Sequence, residues 1–331
     1  MPLISHSTYR PPFLFRNPHA QTIYPTLFRK KPDVSYVRER ITTPDDDFID
    51  LDWSAVDSHK AAIVSHGLEG HSQRSYMLGM IKAFNRRGWD GVAFNFRGCS
   101  GEPNRRLRSY HSGATEDLHT VVNHLLQKRS YSHLALIGFS IGGNLTLKYI
   151  GERGSDLSHR IKGAAAISVP CDLASCSRQL AKPSNRLYMK RFLKMFHKKI
   201  RLKMRIMPGK IDDRGFRSIR TFMAFDERYT APIHGFSGAK DYYSRCSCKP
   251  LLSSISILTL LVNALDDPFL PNECYPVEEA KKSRHVFLET PPCGGHVGFI
   301  AFNQAGEYWH EQRVATFISN IRYESWEDKK Q

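Results

Sequence analysis

The chain has 331 residues, 41% hydrophobic and 24% charged, a composition that provides for a sizeable globular core and excludes intrinsic disorder. A formal net charge of +16 suits an anionic partner, but no zinc-finger, RNA-binding or basic-heptad pattern accompanies it, so no nucleic acid is expected. Seven scattered cysteines lack the paired spacing of a zinc site and are expected to be reduced intracellular thiols.

The chain opens with "MPLISHSTYRPPFLF", which has no basic leader ahead of an apolar core, and no later apolar run is long enough to cross a bilayer. A cytoplasmic protein, at most peripheral to a membrane, is the expectation. "TTPDDDFIDLDW" (42–53) reads as a solvated early hairpin in preference to a metal site. Apolar runs suited to buried parallel strands follow at 61–65, 91–96, 134–138, 163–169, 255–262 and 285–289. A helix is expected at 76–87, closed by Gly88. Another begins at Thr115, where Leu118, Val121, Val122, Leu125 and Leu126 form one stripe and Glu116 and Asp117 occupy the first turn. This alternation implies an α/β fold, a mostly parallel doubly wound sheet with helices on both faces. From about 172 to 248 the rhythm breaks into basic, aromatic, helix-compatible sequence, as an inserted helical cap does. Residues 1–331 are thus expected to form a single domain with an N-terminal extension of about 1–50 and this cap. Within the cap, "MKRFLKMFHKKIRLKMR" (189–205) is a basic amphipathic helix, with Phe192, Leu193, Phe196 and Ile200 on its apolar side. Its cations form either a solvated face or a contact for an anionic membrane.

The chemistry is carried by "LALIGFSIGGNLTL" (134–147). Gly138 and Gly142 flank Ser140 in a G-x-S-x-G elbow, where a strand turns sharply into a helix and glycines avoid collision around the serine. A serine hydroxyl needs a base and an orienting acid, which on the α/β-hydrolase fold follow in the order acid, then histidine. "LTLLVNALDDPFLP" offers Asp266 and Asp267 after a late strand, with Asp267 preferred because Pro268 follows it directly. "HVFLETPPCGGHVGF" offers His296 in a glycine loop after the last strand. An oxyanion needs backbone donors, and the candidates are the amides of Ile141, after the nucleophile, and Leu68, in "SHGLEG" after an early strand. Arg97, in "NFRGCSGEPNRR", is expected to form a structural salt bridge.

Four stretches extend the match beyond a generic triad: "NPHAQTIYPTLFRK", "SHGLEG", "NFRGCSGEPNRRLRSYHSGATEDL" and "FDERYTAPIHGFSGAKDYY". With the elbow they span nearly the whole chain, which resembles the YheT-like α/β-hydrolases, bacterial relatives of the mammalian abhydrolase-domain lipases and yeast medium-chain ester acyltransferases. The resemblance implies a carboxylic ester hydrolase with Ser140 as nucleophile, the Asp-Asp-Pro segment as acid and His296 as base, acting on an acyl ester or lipid without cofactor or metal. Besides a peptidase on the same fold, for which amide cleavage would use the same triad, two alternatives stand. One is acyl transfer to an alcohol, although no histidine is followed by an aspartate in the H-x4-D acyltransferase spacing. The other is a non-catalytic protein that docks on membrane or nucleic acid through its basic surface.

Overall fold

The computed structural model describes residues 3–128 and 131–321. Nine strands, β1 (Leu3–Ile4), β2 (Val37–Thr42), β3 (Phe48–Ser54), β4 (Lys60–Ser65), β5 (Asp90–Asn95), β6 (His133–Phe139), β7 (Ile161–Ile167), β8 (Thr259–Val262) and β9 (Val286–Glu289), form one sheet in the order β1-β9-β8-β7-β6-β4-β5-β3-β2. Pairing is parallel from β1 through β5 and antiparallel where β3 and β2 complete the edge. The side-chain period of two divides the core into two layers. Ala61, Ile63, Val92, Phe94, Leu134 and Leu136 pack with α3 (Thr115–Lys128) and α4 (Ile141–Arg153) on one face. Their alternates Ala62, Val64, Ala93, Ala135 and Ile137 pack with α2 (Ser75–Asn85) and the C-terminal α11 (Trp309–Ser319) on the other. Burial on both sides accounts for strands that read as continuous apolar runs.

Three findings refine the sequence reading. The run at 255–262 pairs only over Thr259–Val262, because Lys249–Ser254 closes into a 3-10 turn whose amides bond locally, Ile255 N to Leu252 O among them. The first fifty residues are built into the sheet and do not precede it: β1 pairs with the last strand, β2 and β3 form the antiparallel edge, and α1 (Pro18–Leu27) lies between. Between β7 and β8 the chain runs through α5 (Leu173–Leu180), α6 (Arg186–Ile206), the short α7 (Phe222–Phe225) and α8 (Ala231–Ile233), and α9 (Ala239–Cys246). This segment has its own apolar cluster, in which Leu193 and Ile200 of α6 are buried and Phe192 and Phe196 partly so. A short α10 (Val277–Lys282) then leads into β9.

The acidic hairpin is solvated only at its turn, where Asp46 is exposed and Asp45 half-buried. Asp47, Asp50 and Asp52 are buried, with Asp50 paired to Arg40 and Asp52 to Arg38. The buried Arg97 guanidinium contacts Asp45 at 2.9 Å, Asp47 at 3.3 Å and Asp117 at 2.8 Å, tying the hairpin turn to the start of α3. Burial opposes ionisation of Asp45, but Arg97 and the Thr43 hydroxyl outweigh it and hold the carboxyl at about 2. A depressed folded value means that this contribution is complete above about pH 4 and is lost as the pH falls towards about 2. Removing the cation leaves buried carboxylates uncompensated. Arg97→Leu is therefore expected to lower the unfolding free energy at neutral pH by about 3–5 kcal/mol. Glu102→Ala, which deletes an exposed partner of Arg40, is expected to leave stability nearly unchanged. Urea denaturation of both variants checks the contrast, and the Arg97 deficit should shrink below about pH 4.

Candidate active site

The elbow sits at the end of β6, a central strand between β4 and β7. Ser140 adopts φ 54° and ψ −120°, a region costly for a residue with a side chain, and its carbonyl accepts the first helical bond of α4 from Asn144 N. The surroundings over-determine this geometry. A Cβ on Gly138 would lie 2.2 Å from Gly142 O, and one on Gly142 would lie 2.5 Å from His66 O. Both elbow glycines are therefore required by close backbone approach.

Ser140 Oγ lies 3.0 Å from His296 Nε2, and His296 Nδ1 lies 2.8 Å from Asp267 Oδ2. Of the two neighbouring carboxylates, Asp267 thus faces the imidazole, and its Oδ1 also accepts from Phe269 N. Asp266 instead accepts from the amide of Gly295 and has its pKa raised, mainly by burial. The Phe269 ring packs on the His296 ring with centroids 4.3 Å apart, screening that side from water.

Leu68 and Ile141 line the same cavity as Ser140 and His296. The loop that carries Leu68 is fixed from several directions. Phe96 N donates to His66 Nε2, which leaves His66 Nδ1–H to donate to Gly67 O at 2.7 Å, while Gly67 N donates to Tyr76 OH. Burial holds His66 neutral, its pKa lowered to about 3. Beyond Leu68, Glu69 takes a left-handed φ of 54°, accepts from Tyr110 OH at 2.6 Å and pairs with Lys199 of α6 at 2.8 Å. Lys199 is thus a basic residue of the amphipathic helix that points inward.

The histidine loop is strained and strapped. Val297 and Phe299 have φ of 59° and 44°, and Val297 N donates to Ser168 Oγ. Helix α1 lies directly against this loop. Thr22 Oγ1 accepts from His296 N, and the fully buried Gln21 accepts from Ile300 N and donates to Tyr9 OH and Phe15 O. Asn17 caps α1 through His19 N and Ala20 N, with Pro18 in the first turn. Sequence reasoning placed no helix here, although Asn17-Pro18 is a helix-start signal that could have found it. The roles of Gln21 and Thr22 carry no such signal, because their partners lie more than 270 residues away.

The cavity over Ser140 measures about 390 Å³, within the range of small-molecule sites. Its far walls are apolar and come largely from the segment between β7 and β8, with Leu173, Leu180, Phe192, Phe196 and Phe222. A smaller cavity of about 120 Å³ adjoins it and shares Leu68, Glu69 and Ile141. Among the described residues no group of three or more His, Cys, Asp or Glu is placed to hold a metal ion, and all seven cysteines are free thiols.

Comparison with known proteins agrees with this geometry. Residues 63–302 match the alpha/beta hydrolase fold family. YheT of Escherichia coli (strain K12), whose name assigns it provisionally to the esterases, is 37% identical over 92% of this chain and 91% of its own. Human phospholipase ABHD3 is 32% identical over 88% of this chain and 74% of its own. Monoacylglycerol lipase of Saccharomyces cerevisiae is 25% identical over 83% of this chain and 62% of its own. Among solved structures, the Pyrococcus furiosus esterase Pf2001 superposes with a TM-score of 0.59 at 19% identity, covering 88% of this chain and 97% of that one, a likeness of fold alone. Gln21→Leu would orphan the Ile300 amide, and a loss of about 1–3 kcal/mol in stability is expected. Hydrogen exchange should rise in the 294–300 loop and stay unchanged in β6.

Proposed function

We propose a function from one premise: the chain belongs to the alpha/beta hydrolase fold family, and within it to the YheT-like members. The protein is an ester hydrolase that works through an acyl-enzyme on Ser140. The observation that carries this reading is the unbroken hydrogen-bonded series from Ser140 Oγ through His296 to the buried Asp267. In the reaction, His296 Nε2 takes the Ser140 proton as Oγ attacks the ester carbonyl. Asp267 accepts from Nδ1–H and stabilises the imidazolium. The Leu68 and Ile141 amides donate to the oxyanion, and the dipole at the N-terminus of α4 favours the same charge. His296 then gives its proton to the departing alkoxide. Water, deprotonated by the same nitrogen, releases the acid and restores Ser140.

The apolar walls of the cavity support an acyl chain as the substrate's larger part, and the lipase and phospholipase names of the relatives point to esters of lipid type. The exposed Arg186, Lys190, Arg191, Lys194 and Lys198 of α6 support peripheral contact with an anionic lipid surface.

A fluorophosphonate probe is expected to label the wild type and not Ser140→Ala, and turnover of p-nitrophenyl esters by the variant should fall by on the order of 10⁴-fold or more. Equal labelling of both proteins would overturn the reading. Thr22→Val removes the acceptor that holds the His296 amide. The expected result is a drop in kcat of about tenfold with KM little changed, and recovery in Thr22→Ser, which keeps the hydroxyl.

A further inference from the structure

Most of the large, highly exposed apolar side chains beside the cavity mouth lie outside the basic cap helix, which contributes Leu187 at 77% exposure. Phe13, Leu14, Leu27, Phe28 and Phe302 are 79%, 81%, 64%, 67% and 63% exposed. Ring contacts join two of them, Phe302 and Phe28, through the half-buried Phe15 and Tyr24: Phe15 lies against Phe302 (5.8 Å between centroids) and Tyr24 (4.7 Å), and Tyr24 against Phe28 (5.4 Å), while Phe13 and Leu14 belong to the same turn as Phe15 and Leu27 precedes Phe28. Scattered exposed apolar residues need no explanation, but a contiguous aromatic cluster marks a contact surface. It is rigidly mounted, since α1 is clamped to the 294–300 loop through Gln21 and Thr22.

Two further observations select the occupant. The first 32 residues contain Arg10, Arg16, Arg29, Lys30 and Lys31 and no Asp or Glu. Arg29 is spent on Glu311, whereas Arg10, Arg16 and Lys30 are exposed around the aromatic cluster, with Arg16 5.5 Å from the Phe13 ring centre. Helix α1 also walls the catalytic cavity, for Ile23 and Thr26 line it, as does Lys31 just beyond, together with Tyr188 and Arg191 of α6. The aromatic surface therefore stands beside the cavity entrance, and α6 joins α1 there through the His19–Tyr188 contact at 3.0 Å. A second copy of the chain is a poor occupant, because it would bring like-charged rims together on molecules of net charge +16.

We propose that the 3-10 turn at Phe13–Phe15, the outer face of α1 and Phe302 form a docking surface for an anionic lipid bilayer. The aromatic side chains enter the headgroup region and the flanking cations hold the lipid charge. This deepens the membrane reading given above and moves its anchor from the cap to the N-terminal segment. It does not depend on ester hydrolysis, because binding is read without turnover.

The test is co-sedimentation of the full chain with vesicles of phosphatidylcholine alone or mixed equally with phosphatidylglycerol. Wild type is expected to bind the mixed vesicles and to lose binding as salt is raised. The double variant Phe28→Ser with Phe302→Ser should bind on the order of tenfold or more weakly while its thermal melting and its turnover of a short soluble ester stay unchanged. The double variant Lys194→Glu with Lys198→Glu, on α6, should bind nearly as wild type. The proposal is overturned if wild type binds neither vesicle or both equally, or if only the α6 variant loses binding. It is overturned as well if the aromatic variant changes the oligomeric state of the free protein, which would assign the patch to a second copy.

Discussion

The structure depends on one close approach of backbone to backbone. Where β6 turns into α4, the chain passes within contact distance of itself at Gly138 and Gly142 and of the β4 terminus at Ser65 and His66, and Ser140 is left with a positive φ. That conformation survives only because the strands on both sides are locked in a parallel sheet and Ser140 N is held by Ile167 O. The neighbouring strands then deliver their loops to the same point: β4 brings Leu68, β7 brings Ser168, and β8 and β9 bring Asp267 and His296. A parallel sheet gathers these groups because every strand from β4 to β9 ends on the same side.

Holding these loops in place is a separate task, and the chain uses distant segments for it. His66 and Tyr76 grip Gly67 from its two ends, and the Glu69–Lys199 pair ties the loop to α6. On the other side, Asn185 and Gln179 donate to Pro268 O, anchoring the loop that carries Asp267 to the segment between β7 and β8. That segment is therefore coupled to both the Leu68 loop and the Asp267 loop, and a shift of α6 would be felt by both.

The sequence made legible what local rules encode. Strand periodicity, the elbow glycines, the order of Ser140, Asp267 and His296, and the apolar stripe of α6 each depend on neighbours within a turn or two. Long-range pairing lay beyond it. Nothing local marks Gln21 as the clamp of the 294–300 loop, or Lys199 and Lys203 as the inward cations of a helix whose other basic residues are largely exposed. The acids of 42–53 look solvated until Arg97 and the Arg38 and Arg40 partners are placed around them. The run 255–262 has strand composition throughout, yet pairing starts only at Thr259, after a 3-10 turn that ties up the Ile255 amide. Asp266 and Asp267 differ by one position, and only the direction of their side chains separates them.

The strap of α1 across the histidine loop, with β1 paired to β9, has a consequence for biosynthesis. During translation Ser140 emerges and its elbow can form long before His296 leaves the ribosome, while the segment that must brace His296 has been waiting since the first thirty residues. Contacts of such sequence separation are slow to form and close last. A nascent or truncated chain thus carries the elbow without its histidine loop, and the hydrogen-bonded series of Ser140, His296 and Asp267 is complete only when both ends of the chain have met.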